Sequence, residues 1–382
     1  MSTPSVHDVT AVLETIAPLT GAESWDNVGL LIGSPAWDAA SIMFTIDLTE
    51  DVLDEAIARG VNLLVAYHPP IFDPLKRLTD AAEKQRIVLR AARADLAVYS
   101  PHTALDAAEN GLTDWLVSGL GSGDVRALTP YSAVAGGAEC KIVTFAPRDA
   151  VERIRATLAT IGAGNIGDYQ LCSFETPGTG TFRGAEGTSP VVGTAGQLER
   201  VPEIRLEMVC PEKCLGLAIT AIRQVHPYEE APIDVIRLEP QPERAIGGGR
   251  KLTLDQPATL QDVVTRAKET MGVEHVRVAR PRKAPERHSV IGACAGAGGS
   301  MVDSAIAQGC DLFLTGEMRH HDVMAAIARG CTLILPGHTN TERGYLPHLR
   351  QRMIDGLAAA GVDIAADRLL ISERDRASFS VE

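Results

Sequence analysis

Three short stretches of this 382-residue chain gather side chains able to hold a metal cation. They read Tyr67-His68-Pro69-Pro70, His102-Thr103-Ala104-Leu105-Asp106 and Gly337-His338-Thr339-Asn340-Thr341-Glu342. In the last two, a histidine precedes a carboxylate by four residues. On a helix that spacing places both side chains on one face; in a loop they can still converge. Imidazole nitrogen with carboxylate oxygen suits divalent Zn, Fe or Mn, and a carboxylate can bridge two ions. A single histidine of this kind is more often a hydrogen-bonded core residue. Three such segments, each after an apolar strand and before a turn, point to one shared site. A divalent ion lowers the pKa of bound water from about 15.7 to about 7, and two ions can hold both the attacking and departing oxygens of a phosphate. The chemistry implied is metal-assisted hydrolysis, with Asp106 or Glu342 as bridging ligand.

Other residues are weaker candidates. Glu317, His320 and His321, in TGEMRHHD (315–322), follow an apolar run. They suit partners behind the ligands or a general acid/base; the same letters also read as a helix start with Glu317 near its positive end. Asp26 and Asn27 in WDNVGL read as loop-shaping first and substrate-binding second. CAGAGGS (294–300) could cradle an anion at a helix N-terminus or form a tight packed turn, and lacks the full phosphate-loop consensuses. Cys210 and Cys214 have no partner pair at zinc spacing and read as structural. Glu229 and Glu230 of HPYEE suit either a small site of their own or a subunit contact.

Elements that alternate along the chain must position these residues. In the first 120 residues, strands at 41–47, 61–67 and LAVYS (96–100) alternate with helices at 49–60, 80–94 and 111–119, after a first helix capped by Ser5. Such alternation predicts an α/β sheet with its site at strand ends. GLGSGD (119–124) reads as a linker. Beyond it come a strand at 141–146, a helix at 148–160, strands near 168–174, 180–184 and 203–210, a helix at 213–223 and a strand at 233–238. This is read as a β-α-β-β-α-β, ferredoxin-like unit. EPQPERAIGGGRK (239–251) reads as the exit linker. The α/β alternation then resumes to the end, so the two ends predict similar halves and the middle an insertion.

Composition bounds the rest. Hydrophobic residues make up 45% and charged residues 22%, enough for sizeable cores in two or three domains. The formal charge of −13 gives no electrostatic reason to expect nucleic acid or an anionic membrane, RVARPRK (277–283) notwithstanding. With aromatics at 4%, no stacking platform for single strands is visible. No apolar run of bilayer length occurs. MSTPSVHDVT lacks the regions of a signal peptide, and seven scattered cysteines do not suggest a disulfide framework, so a cytoplasmic setting is expected.

WDNVGLLIG (25–33), YHPPIFDPLKRLT (67–79), YSPHTALDAAENGLTDWL (99–116), TGEMRHHD (315–322) and PGHTNTER (336–343) resemble the dinuclear-metal-centre family of Ngg-interacting-factor-three-like proteins, whose bacterial members are often labelled GTP cyclohydrolase I type 2-like. The resemblance covers about 1–125 and 245–382. The middle is similar to the insertion of longer bacterial members, and HPYEEAPIDV (226–235) looks like the signature of the PII/CutA-like fold. Carried over residue by residue, the family's metal ligands fall on His68, Asp106, His338 and Glu342, with His102 close by. Tyr67 stands where a first histidine is usual, and a phenol of pKa about 10 is the poorer ligand. The resemblance thus implies two divalent ions, the second site weaker, or completed by His102 or water. It also implies a ring-shaped homohexamer.

The expectation is an α/β protein in which two similar halves (1–130 and 246–382) form one discontinuous domain around a metal cleft, interrupted by a ferredoxin-like, PII/CutA-like α+β domain (131–245). Two functions remain open. One is a metal-dependent hydrolase of a small nucleotide-like substrate, GTP-cyclohydrolase-like by resemblance. The other is a non-enzymatic metal-binding or regulatory oligomer that binds a partner or metabolite.

Overall fold

The computed structural model describes residues 3–133, 139–167, 169–239, 241–377 and 379. The chain divides into two units, one of residues 1–131 with 243–382 and one of residues 132–242.

The larger unit is built on two sheets. The first has the order Gly29–Ile32, Ala97–Ser100, Leu63–Ala66, Ile42–Thr45, Leu369–Ile371. Only its first pair is antiparallel. The three central strands are buried at every residue, the unbroken apolar pattern of strands covered on both faces. Val6–Ile16 packs one face. Ser5 and Asp8 close its N-terminus as a capping box, and Val6, Val9, Val12, Leu13 and Ile16 point into a core shared with Phe44, Val65 and the Leu346–Ala359 helix. Glu50–Ala58 and Glu83–Arg93 cover the other face. With both faces closed, the carboxyl ends of the parallel strands are left to carry functional loops. Tyr67 and His68 directly follow Leu63–Ala66, and His102 opens a short helix, His102–Ala107, two residues after Ala97–Ser100.

The second sheet runs Arg277–Ala279, Thr332–Leu335, Leu312–Thr315, His288–Cys294, Gln241–Ala258, Gly123–Ala133. Its parallel centre again ends at chemistry-bearing residues, with Glu317 beyond Thr315 and His338 beyond Leu335.

Both expected linkers run into strand. Gly123–Ala133 begins inside GLGSGD, and Gln241–Ala258 spans almost all of EPQPERAIGGGRK. Their glycines permit close pairing. A Cβ on Gly123 would lie 2.0 Å from the Thr253 carbonyl oxygen, and one on Gly247, at φ +146°, would lie 2.2 Å from that of Thr129. Glycine marked close backbone approach in these segments, and not flexibility.

The smaller unit is a four-stranded antiparallel sheet, ordered Phe174–Arg183, Leu198–Cys210, Cys140–Ala146, Ile233–Arg237. Arg148–Thr160 and Leu215–Val225 pack against it through Ile154, Leu158, Ala218 and Ile222. This is the order of a split β-α-β unit. The two strands expected near 168–174 and 180–184 are one strand, Phe174–Arg183; residue 168 lies outside the described residues.

Candidate metal centre

His68, His338 and Glu342 meet at the ends of the strands just described, their ligand atoms all within 4.8 Å of one another. Nε2 of His338 lies 3.4 Å from Oε1 of Glu342, and Nε2 of His68 lies 3.6 Å from Oε2. The rings of His102 and His68 are 5.4 Å apart, and His102 and Asp106 line the same cavity outside that triad. Its volume is about 560 Å³, within the usual range of small-molecule sites.

Each histidine is oriented from behind by a carboxylate. Nδ1 of His68 lies 2.9 Å from Asp47, Nδ1 of His102 lies 2.8 Å from Asp26, and Nδ1 of His338 lies 2.9 Å from Glu317. An ionised carboxylate only accepts, so a proton sits on Nδ1 and Nε2 is the nitrogen left to face a cation. Asp26 also accepts from the amide and hydroxyl of Thr103. His102 has φ +29°, a strained backbone at the point where the helix must begin abruptly.

Burial sets the electrostatics. Glu342 is 1% exposed, and its Oε2 has no hydrogen-bond partner among the described residues. An orphaned carboxylate oxygen in a buried site is costly unless a cation completes it. Burial disfavours a charged His68, but the hydrogen bond to Asp47 and the facing charge of Glu342 outweigh it and push the ring up to about 10. Desolvation pushes Asp106 up to about 6. The buried Tyr67 phenol is held well above its ordinary value, first by desolvation and then by Asp106 and Glu342. It donates to Oδ1 of Asp106 at 2.7 Å. Tyr67 is therefore a neutral donor fixing Asp106 and is unsuited to ligation as a phenolate.

Gly296 makes room for whatever the triad holds. At φ +59°, its Cβ would lie 2.9 Å from both Oε1 of Glu342 and Nε2 of His338. CAGAGGS is thus a packed turn: the Gly296 and Gly298 amides donate to Thr341 and Thr315, leaving neither for an anion. An orphaned acid, two free imidazole nitrogens and a gap that a methyl would fill together fit a divalent cation of the Zn, Fe or Mn type.

Of the sequence candidates, Glu317 stands behind His338. His320 and His321 are exposed at the start of His320–Ala328 and pack on each other. Asp26 orients His102, and Asn27 donates to the Ile71 carbonyl. Sequence inspection missed Asp47, although it lies two residues beyond Ile42–Thr45, just as His68 lies two beyond Leu63–Ala66. It also missed Thr341, whose hydroxyl ties the HTNTE segment to the Gly296 turn.

The family model for Duf34/NIF3 (NGG1p interacting factor 3) matches residues 4–368. The chain belongs to this family. Among Duf34/NIF3 relatives it is 33% identical over 334 residues to the GTP cyclohydrolase 1 type 2 homolog of Bacillus subtilis, covering 87% of each chain. It is also 33% identical over 387 residues to human NIF3-like protein 1, covering 100% of this chain and 94% of the relative. The solved structure of a Bacillus cereus protein related to NIF3 is 30% identical, with a TM-score of 0.72 over 100% of both chains. A Staphylococcus aureus protein superposes with a TM-score of 0.81 at 25% identity, again over 100% of both. The mixed α/β, several-sheet architecture is thus that of NIF3-like structures. Among the described residues, no helix is long and apolar enough to cross a membrane.

Proposed function

We propose that this Duf34/NIF3 protein is a metal-dependent hydrolase of a small nucleotide-like substrate. One divalent ion would be held by His68, His338 and Glu342, and a second, weaker one would fall to Asp106 and His102, with Glu342 available to either. The observation that carries this is the buried Oε2 of Glu342, partnerless among imidazoles whose other nitrogens are already satisfied. Such ions acidify a coordinated water and stabilise the charge that develops on a phosphoryl or carbonyl oxygen. The protein's own part is orientation. Asp47, Asp26 and Glu317 fix the three rings, and Tyr67 fixes Asp106. His320 and His321 are assigned no role.

The name of the Bacillus subtilis relative, GTP cyclohydrolase 1 type 2 homolog, makes purine nucleotides the first substrates to try. The reading extends to residues 131–245 as a PII/CutA-like insert and to a homohexameric ring. Their support is the HPYEEAPIDV resemblance, the split β-α-β strand order and the family resemblance. A reduced cytoplasm is the proposed setting, in keeping with seven unpaired cysteines.

The test is metal content and ion count, by elemental analysis and anomalous scattering, beside product release from a nucleotide panel. Wild type should carry metal and turn over, and Glu342→Gln and His338→Ala should lose both. Metal retained in these variants sinks the site. Metal bound by a wild type inert toward every nucleotide would favour the regulatory alternative.

A further inference from the structure

We propose that Trp25 and Phe72 form a shelf at the mouth of the metal cavity on which a planar heteroaromatic ring of the substrate stacks. This deepens the hydrolase reading and rests on it for the identity of the cavity. Aromatic residues make up only 4% of the chain, yet two of them line this one cavity largely in solvent, Trp25 60% and Phe72 43% exposed. Large apolar rings left in water beside a concave site are the kind of exposure that marks recognition.

The two rings form one surface, with centroids 6.0 Å apart and planes inclined at 52°. Trp25 also stands edge-on to His102, at 6.2 Å and 76°, so a ring lying on it is one ring's breadth from the candidate metal ligands. The shelf is held in place. The Asn27 amide donates to the Ile71 carbonyl at 2.5 Å, tying the loop that carries Phe72 to the segment that carries Trp25. Consecutive residues of Trp-Asp-Asn therefore stack, orient His102 and brace the loop.

Deeper in the cavity, Glu23 accepts from the Tyr131 hydroxyl at 2.8 Å through Oε1, and its Oε2 suits a ring N–H donor. None of the described lining residues is Lys or Arg, so apart from a bound metal and the histidines themselves the lining offers no positive charge to a phosphate. The chemistry recognised is a flat, N–H-bearing heteroaromatic ring of purine type. A sugar phosphate without the ring offers nothing to the shelf.

The test is calorimetric titration of the metal-loaded protein with guanosine 5′-monophosphate and with ribose 5-phosphate, using wild type, Trp25→Ala, Trp25→Phe and Phe72→Leu. The nucleotide should bind about tenfold or more tightly than the sugar phosphate. Trp25→Ala should weaken it roughly 10- to 100-fold, Trp25→Phe should restore most of the loss, and metal content should stay unchanged in all. Equal affinity for the two probes, no binding of either, or Trp25→Ala binding like wild type overturns the proposal. Turnover with unchanged KM in Trp25→Ala would reject the shelf and keep the hydrolase. Binding that depends on Trp25 without turnover would keep the shelf and reject the hydrolase.

Discussion

The two units each contain a cavity of similar size, about 560 Å³ beside the histidine cluster and about 480 Å³ between Phe145, Phe182, Tyr228 and Glu203. Both have carboxylates in the wall and histidine at hand, and they differ in where the polar atoms are spent. Behind the second cavity, Nε2 of His226 lies 3.0 Å from the Phe145 carbonyl and donates to it, because Nδ1 accepts from the Tyr228 amide. Glu203 accepts from the Tyr228 hydroxyl, and Glu229 from the Ser189 amide. These groups satisfy one another. In the first cavity, carboxylates occupy only the outer nitrogens, and Glu342 has an oxygen left over. Support from behind is not sufficient: His288 has Asp311 on Nδ1 and an unpartnered Nε2, yet it lies fully buried outside either cavity. A histidine is available to a cation when one nitrogen is held and the other faces both open space and a second donor.

Three experiments press on that contrast. Gly296→Ala should have the largest effect, because it removes no ligand but puts a methyl 2.9 Å from two of them on a backbone that resists it. Metal should fall to background in elemental analysis while circular dichroism stays native; full occupancy would mean that the triad is not where the ion sits. Asp47→Asn and Glu317→Gln should each weaken metal binding about 10- to 100-fold in chelator competition, the usual cost of losing a partner behind a ligand. Glu203→Gln, in the other cavity, should change nothing in that assay. An equal loss there would dissolve the distinction.

The third concerns protons. In the metal-free site His68 is pushed up to about 10, so at neutral pH a cation must displace a proton. Apparent affinity should therefore fall as pH falls, about tenfold per unit for one displaced proton. It should fall more steeply below about 6, where Asp106 also holds one. Chelator competition at a series of pH values checks this, and an affinity independent of pH would remove His68 from the ligand set.

Much of this was legible in the letters. Buried strands announced themselves as unbroken apolar runs; His68 and His338 were visible because each follows such a run, and Glu342 because it lies four residues beyond His338. The four-residue spacing in His102–Asp106 proved helical, whereas His338–Glu342 brackets a single short 3-10 turn, Thr339–Thr341, so one pattern arose from two backbones. The two glycine-bearing strands were misread because their stability comes from the neighbouring strand and not from local propensity, which glycine and proline lower.

What the sequence alone determined is a set of candidate ligands and the strands that end beside them, since side-chain chemistry and apolar periodicity are local. Only tertiary structure decided which acids stand behind which rings. Asp47 is 21 residues from His68 in the chain, Asp26 is 76 from His102 and Glu317 is 21 from His338. No periodicity links residues on different strands or loops, so such pairs exist only once sheets have brought separate strand ends together. The same folding exposes Trp25 beside the cavity and buries Glu342 next to two imidazoles, giving an ordinary aromatic and an ordinary acid surroundings that no local pattern specifies.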